Sequence, residues 1–196
     1  NEFIEITDFG IGSRVFKTNN RKVSAIAKNA GITPKRQQLL FRLAKYFNSE
    51  NILELGTSVG LATSAMALAN PSSKITTIEG CKNTSKIAQN LFDVFNLNNI
   101  QLHNATFEEF FKKKTSEEYD LVYIDGNHSK EMTLQYFEFL LAKINTNSVL
   151  IFDDIYWSSE MTEAWKQIIQ HKKVRVSIDT FYWGFVFFRK EQEKQH

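Results

Sequence analysis

The chain has 196 residues and a mass of 22.7 kDa, which is the size of one globular domain. Hydrophobic residues make up 42% of the chain and charged residues 23%, a balance that excludes a disordered or fibrous protein. The 24 basic and 22 acidic residues leave a formal charge of +2, so neither nucleic acid nor a membrane surface is indicated as a partner.

The first 33 residues show the least regular pattern. Residues 8–13 have glycines spaced as in a phosphate loop, but no long buried helix follows, so we interpret residues 1–33 as a turn or lid beside a ligand site. Residues that could set ligand choice there are Arg14, Phe16, Arg21 and Lys22. Pro34 begins a predicted helix, and we place the main domain at residues 34–190 and a solvated polar tail at residues 191–196.

Between residues 50 and 155 short apolar runs alternate with stretches of helical periodicity. This alternation predicts βαβ units and a buried parallel sheet. The predicted strands are residues 52–55, 74–79, 100–103, 119–125 and 148–153, and the helices between them are residues 58–69, 84–95 and 130–144.

The pattern changes after residue 155. A helix is predicted at residues 159–170, followed by strands at residues 174–178 and 181–188. Because a parallel crossover needs a dozen or more residues, these last two strands should pair antiparallel and form a mixed edge of the sheet.

The turn after the first strand of this alternation contains candidate ligand-binding residues. Glu54 precedes a G-x-x-x-G turn from Gly56 to Gly60, which differs from the glycine patterns that seat a pyrophosphate or a nucleotide phosphate. Glu54 would repel a phosphate and attract an ammonium or sulfonium centre, which predicts a positively charged nucleoside ligand. Glu79, at the tip of the next strand, is placed to accept hydrogen bonds from ribose hydroxyls. The alternative is that both glutamates are ordinary strand-end residues.

Residues 54–60, together with Glu79, resemble motifs I and II of class I S-adenosylmethionine-dependent methyltransferases. More narrowly, residues 35–190 resemble small-molecule O-methyltransferases of the catechol and caffeoyl-CoA type and their bacterial sugar and macrolide relatives. The resemblance implies a Rossmann-like α/β fold with helices on both faces of a seven-stranded mixed sheet, of order 3-2-1-4-5-7-6 with strand 7 antiparallel. It also implies S-adenosylmethionine as the cofactor and methyl transfer to an oxygen of a small-molecule acceptor.

The same resemblance implies which residues hold the cofactor. The methionine moiety is expected at Glu54, Gly56, Ser58 and Gly60, the ribose at Glu79, and the adenine at Gly80, Cys81, Asn104, Ala105 and Thr106, with Asp125 as a further cofactor contact.

Three acidic residues follow the two later strands of the alternation. Asp125 ends one strand, and Asp153 and Asp154 end the next, so adjacent strands should bring the three carboxylates together. Such carboxylates repel each other unless they are neutralised, and Mg²⁺ with oxygen ligands fits. In the resembled family the metal ligands lie at these places, commonly as Asp, Asp and Asn, and this sequence has Asp at the third. The alternative is that Asp153 caps a loop and Asp154 faces solvent.

His128 lies three residues after Asp125, where the catechol-type enzymes place a lysine general base. A histidine there can accept the acceptor's proton, whereas the alternative is a helix N-terminal residue, since Ser129 has the character of an N-cap. Tyr156 and Trp157 follow the acidic pair and could wall a flat acceptor or simply pack at the edge.

Two other functions stay open. An RNA (tRNA) methyltransferase is disfavoured because the [D/N]-P-P-[Y/F] tetrapeptide of amino-directed enzymes is missing after Ile124, and a non-catalytic cofactor-binding module is disfavoured by the acidic cluster. A homodimer is compatible with the sequence but not decided by it. The single cysteine, Cys81, excludes a disulfide framework, and no signal peptide or membrane-spanning run is visible, so the sequence predicts a cytoplasmic protein.

Overall fold

The structure is a computed structural model that describes residues 2–10, 12–13, 15–113 and 117–196; Arg14 of the predicted lid lies outside the described residues. The elements follow one another in this order: β1 (Phe3–Glu5), β2 (Asn20–Lys22), α1 (Val23–Asn29), α2 (Pro34–Tyr46), β3 (Asn51–Leu55), α3 (Leu61–Ala69), β4 (Lys74–Glu79), α4 (Lys82–Val94), β5 (Ile100–Asn104), α5 (Phe107–Lys112), β6 (Tyr119–Ile124), α6 (Lys130–Leu140), β7 (Ile144–Asp153), α7 (Ser159–Gln170), β8 (Val176–Asp179) and β9 (Trp183–Phe187).

Seven of these strands form one mixed sheet of order β5-β4-β3-β6-β7-β9-β8, flanked by helices. Counted along the sheet's own strands, this is the predicted order 3-2-1-4-5-7-6, and the strand between β7 and β8 is antiparallel to both of its neighbours. The predicted α/β fold class is therefore confirmed.

The chain divides into two compact units, Asn1–Lys113 and Lys114–His196. In the first unit β3, β4 and β5 pair in parallel, and β3 is buried from Ile52 to Leu55. Burial of every residue from Ile52 to Leu55, with Glu54 the one polar member, is typical of a parallel strand that is covered on both faces. A second, two-stranded sheet, β1 with β2, is antiparallel and belongs to the same unit.

In the second unit β6 pairs in parallel with β7, and the antiparallel strands β9 and β8 follow. Gly184 of β9 allows α7 to approach, because a Cβ at this position would lie 2.6 Å from a ring carbon of Trp165. The core of this unit includes Tyr123, Phe152 and Trp183, each nearly or wholly removed from solvent.

Several element bounds differ from the sequence prediction for identifiable reasons. The helix predicted from residue 58 begins at Leu61, because Ser58 and Gly60 have φ angles of 49° and 84° and form a loop. The last strand begins at Trp183 rather than at residue 181, because Phe181 has a φ of 72°. The helix after β6 ends at Leu140 and β7 begins already at Ile144.

The two ends of the chain carry structure that the sequence did not predict. The proposed lid contains the β1–β2 hairpin and α1. The polar tail is exposed but not detached, since Gln195 pairs with Val176 of β8 and its carbonyl accepts the Ser177 N–H at 2.9 Å. The division into residues 1–33, 34–190 and 191–196 stays a prediction. Across the described residues, no helix has both the length and the apolar character needed to cross a membrane.

Candidate functional site

The turn after β3 is a left-handed loop held against the end of β4. Gly56 has a φ of 105°, and the N–H groups of Gly56 and Thr57 donate to the Ile78 carbonyl at 3.0 and 3.2 Å. Gly60 has a φ of 84°, and a Cβ there would lie 2.7 Å from Cε1 of Phe92. Glycine at residue 60 is thus required by backbone conformation and by the packing of α4, in addition to any approach of a ligand.

Glu54 lies beneath this loop and is wholly buried. Its Oε2 accepts hydrogen bonds from the hydroxyls of Thr63 and Thr77, and Thr77 also shares a hydrogen bond of 2.6 Å with Thr57. Its Oε1 is buried and has no hydrogen-bond partner among the described residues. Desolvation by burial raises the pKa of Glu54 to about 7, and the neighbouring charge of Glu79 acts in the same direction.

Glu79 ends β4 and closes the loop. Its Oε2 accepts the Ser58 N–H and its Oε1 accepts the Cys81 N–H, both at 2.9 Å. Burial raises the pKa of this carboxyl group, while the two backbone donors oppose the shift. Each carboxylate oxygen can accept more than one hydrogen bond, so both retain capacity for a hydroxyl donor.

The residues predicted to read the adenine support the end of β4. The Asn104 side-chain amide donates to the carbonyls of Glu79 and Gly80 at 2.8 and 3.1 Å, and the Ala105 N–H donates to the Glu79 carbonyl at 3.2 Å. Thr106 caps α5 in a capping box with Glu109. These groups therefore fix the segment around Gly80 and Cys81, and a direct contact with the adenine stays a prediction.

In the second unit, one tyrosine hydroxyl joins two of the predicted acids. The Tyr123 hydroxyl lies 2.8 Å from Asp153 Oδ2 and 3.3 Å from Asp125 Oδ2. The other oxygen of Asp153 accepts the Asp154 N–H at 2.8 Å, and Asp154 has a left-handed φ of 53°. Asp125 and Asp153 therefore lie close to the same Tyr123 hydroxyl. For Asp154, the contact described is made by its backbone N–H and not by its side chain.

This arrangement bears on the predicted metal. Among the residues that the structure describes, no group of three or more His, Cys, Asp or Glu side chains is placed to hold a metal ion. The described residues therefore do not show Asp125, Asp153 and Asp154 as one metal-ligand set, and the magnesium site stays a prediction.

His128 lies beside Asp125, with Nε2 3.7 Å from Asp125 Oδ1. Its ring packs against Trp157 at a centroid distance of 5.6 Å, so Trp157 lies beside His128. Asn127 and His128 have φ angles of 67° and 51°, and such left-handed non-glycine residues concentrate at functional sites. Ser129 is the N-cap of α6, as the alternative reading proposed, so His128 lies at the helix start and beside the acid at once.

Sequence reasoning missed Tyr123, Thr63 and Thr77. Tyr123 and Asp125 are two residues apart, and because strand side chains alternate between faces, the spacing could have indicated that both point the same way. The threonines bond to Glu54 across separations of 9 and 23 residues, for which the sequence carries no local signal. Tyr156, for which the sequence left open an acceptor wall or edge packing, donates to Asp179 at 2.5 Å and packs against Phe181.

The methyltransferase-domain family matches residues 53–155. The chain belongs to this family. The match spans β3 through the residues that follow β7, and therefore includes Glu54, Glu79, Asp125, His128 and Asp153. The predicted membership and the enzyme class are confirmed.

Solved structures of methyltransferases share the fold of this methyltransferase. An O-methyltransferase from Bacillus cereus in complex with SAH is 21% identical, with a TM-score of 0.70 over 84% of this chain and 86% of its own. The O-methyltransferase TomG from Streptomyces achromogenes, involved in tomaymycin synthesis and solved with SAM, is 16% identical, with a TM-score of 0.74 over 85% and 89%. The SAH-bound Podospora anserina methyltransferase PaMTH1 is 13% identical, with a TM-score of 0.71 over 81% and 80%. No curated protein is significantly similar to the sequence.

Proposed function

We propose that this methyltransferase transfers the methyl group of S-adenosylmethionine to an oxygen atom of a small-molecule acceptor. The observation that carries the proposal is the pair of buried acids at the glycine loop: Oε1 of Glu54, which has no hydrogen-bond partner among the described residues, and Glu79 at the end of β4. O-methyltransferases of the same fold are solved with SAM or SAH, which supports this choice of cofactor.

The acids of the first unit fit the charge and the hydroxyls of this cofactor. The buried Oε1 of Glu54 would accept from the ammonium of the methionine moiety, which would satisfy an atom that is costly to leave without a partner. Glu79 would accept from the ribose hydroxyls while it keeps the Ser58 and Cys81 N–H groups. When bound, the cofactor supplies an electrophilic methyl group on a sulfonium centre.

His128 is the proposed general base. As the new oxygen–carbon bond forms and the carbon–sulfur bond breaks, His128 takes the proton of the acceptor hydroxyl. Asp125 Oδ1, 3.7 Å from His128 Nε2, would orient the ring, and the Tyr123 hydroxyl lies within 3.3 Å of both Asp125 and Asp153. Most of the remaining rate gain would come from positioning the two reactants.

Assistance by a divalent metal is the second candidate. What favours it is that Asp125 and Asp153 share the Tyr123 hydroxyl, so their carboxylates lie near one point. No step is assigned to a metal, because the described acids form no ligand group of three. Treatment with EDTA tests this candidate: activity that survives would contradict a metal requirement, and activity that is lost and restored by Mg²⁺ would support it.

Titration calorimetry with S-adenosylhomocysteine tests the cofactor site. We expect Glu79→Ala to weaken binding by about tenfold or more, since a hydrogen bond to a charged group contributes about 1.5–3 kcal/mol. Glu191→Ala, which removes an exposed acid of the tail, is the matched control and should bind as the wild type does. Failure of the wild type to bind would contradict the proposed function.

A further inference from the structure

The N-terminal segment is attached to the residues that directly follow Glu79. The Thr7 N–H donates to Cys81 Sγ at 3.4 Å, and the Cys81 thiol faces the Glu5 carbonyl at 3.8 Å. That carbonyl also accepts the Asn83 side-chain amide at 2.8 Å. The chain therefore runs along the end of β4 and the start of α4, beside the proposed ribose site.

Phe9 continues this segment onto Gly80. A Cβ at Gly80 would lie 2.6 Å from Cδ2 and 2.9 Å from Cε2 of the Phe9 ring, so a side chain at residue 80 would displace the ring. Asp8 stabilises the turn, because its carboxylate accepts the Gly10 N–H at 3.0 Å and lies 3.8 Å from the Arg21 guanidinium. Phe9 is nevertheless 54% exposed, so part of its aromatic surface is accessible to solvent beside Gly80, the residue that follows Glu79.

We propose that Phe9 is a cofactor-binding residue whose ring stacks on the adenine of the bound nucleoside. The inference rests on the proposed function, because Glu79 must hold the ribose for the base to lie beside Gly80. A base joined to a ribose at Glu79 would extend towards Gly80, which has no side chain and is covered by the Phe9 ring. Stacking of the base on this ring would cover one of its faces. Phe9 lies outside motifs I and II and outside the family match, which begins at residue 53.

Calorimetry of Phe9→Ala with S-adenosylhomocysteine and with 5′-methylthioadenosine tests this role. Both ligands carry the adenine, so both should bind about tenfold more weakly, the scale of one base–aromatic stack. Phe3→Ala is the matched control, because Phe3 lies in the same segment and is 59% exposed, whereas the atoms nearest to the would-be Cβ of Gly80 belong to Phe9; its affinities should equal those of the wild type.

Unchanged or tighter binding by Phe9→Ala would overturn the proposal, since the ring would then be idle or would occupy the place of the base. Equal losses in Phe9→Ala and Phe3→Ala would also overturn it, because the segment as a whole would be responsible. These failures differ from failure of the proposed function, in which the wild type itself binds neither ligand.

Gly80→Ala gives an independent test through a double-mutant cycle. If Gly80 serves to admit the Phe9 ring, the added methyl group weakens binding in the wild type but has little further effect in Phe9→Ala. Additive losses would contradict the proposal, since the methyl group would then obstruct the ligand directly.

Discussion

At the scale of single residues, the buried carboxyl group of Glu54 makes the stability of the fold depend on pH. Its carboxyl group is buried among threonine hydroxyls, and burial raises its pKa to about 7 from an ordinary value of 4.5. The folded chain therefore holds a proton on this group over a range of pH in which the unfolded chain has lost it. The stability that the protonated group contributes is complete below the unfolded pKa and is lost as pH rises through the folded pKa.

We expect the free energy of unfolding of the wild type to fall, relative to Glu54→Gln, as pH rises from about 4.5 to about 7. The full difference is up to about 3 kcal/mol, because one pKa unit corresponds to about 1.4 kcal/mol. Urea denaturation of both proteins across this range measures it, and the contributions of other titrating groups cancel in the comparison. Parallel pH profiles would show that Glu54 ionises normally.

The role of His128 is also a single-residue question. His128→Ala should lower kcat by about 10²–10⁴-fold, the usual contribution of a general base, and leave S-adenosylhomocysteine affinity unchanged. Added imidazole should restore part of the activity, and His196→Ala, in the exposed tail, should behave as the wild type. A full-rate His128→Ala enzyme would transfer the role of base to another group.

At the scale of elements, the start of α3 depends on Gly60. Gly60 has a φ of +84° and lies against Phe92, whereas Gly12 has the same φ of +84° with no atom of the described residues within 4 Å of its would-be Cβ. The two glycines therefore separate backbone strain from steric conflict between α3 and α4.

Gly12→Ala should reduce the free energy of unfolding by about 1–2 kcal/mol, the cost of a left-handed alanine. Gly60→Ala should cost about 1–3 kcal/mol more, because the new methyl group overpacks the contact with Phe92. Thermal or urea unfolding of the two variants measures the difference. Equal losses would mean that Phe92 moves aside without cost.

At the scale of the whole molecule, the alternation of apolar runs with helical periodicity predicted the parallel strands from β3 to β7, but it missed α5 between β5 and β6. The order of the strands in the sheet followed from the resemblance to class I methyltransferases, not from the alternation. The short strands β1 and β2 could not be predicted in this way. Each has only three residues, and their sequences, FIE and NRK, show no alternation of apolar and polar side chains. Helix starts were misplaced where left-handed residues such as Ser58 extend a loop, because no propensity distinguishes that conformation.

The candidate site, like the fold, could be predicted from the sequence only in part. Strand-end acids such as Glu79 and Asp153 could be found, since the parallel topology fixes where strands end. Their partners could not: Tyr123 bonds to Asp153 across 30 residues, and Phe9 lies against Gly80 from a segment far away in the sequence. Those contacts depend on tertiary packing, for which one sequence contains no direct signal.

The charge of the whole chain yields a prediction about the alternative substrate. Proteins that neutralise many phosphates bind nucleic acid with an affinity that falls steeply between about 50 and 200 mM salt. Because the formal charge of this chain is only +2, we expect no such salt-dependent binding of tRNA. Filter binding at both salt concentrations measures it. A steep salt dependence would instead favour the RNA methyltransferase.

The outermost strand of the sheet, β8, does not face solvent with all of its backbone groups open. Residues of the tail pair with it, through the hydrogen bonds of Gln195 with Arg175 and Ser177 and of the His196 ring with the Ser177 hydroxyl. An open sheet edge is a template on which a second chain can add a strand. Two copies could pair through β8 only after these hydrogen bonds to the tail were broken. The contacts of Gln195 and His196 therefore disfavour edge-to-edge association at this strand.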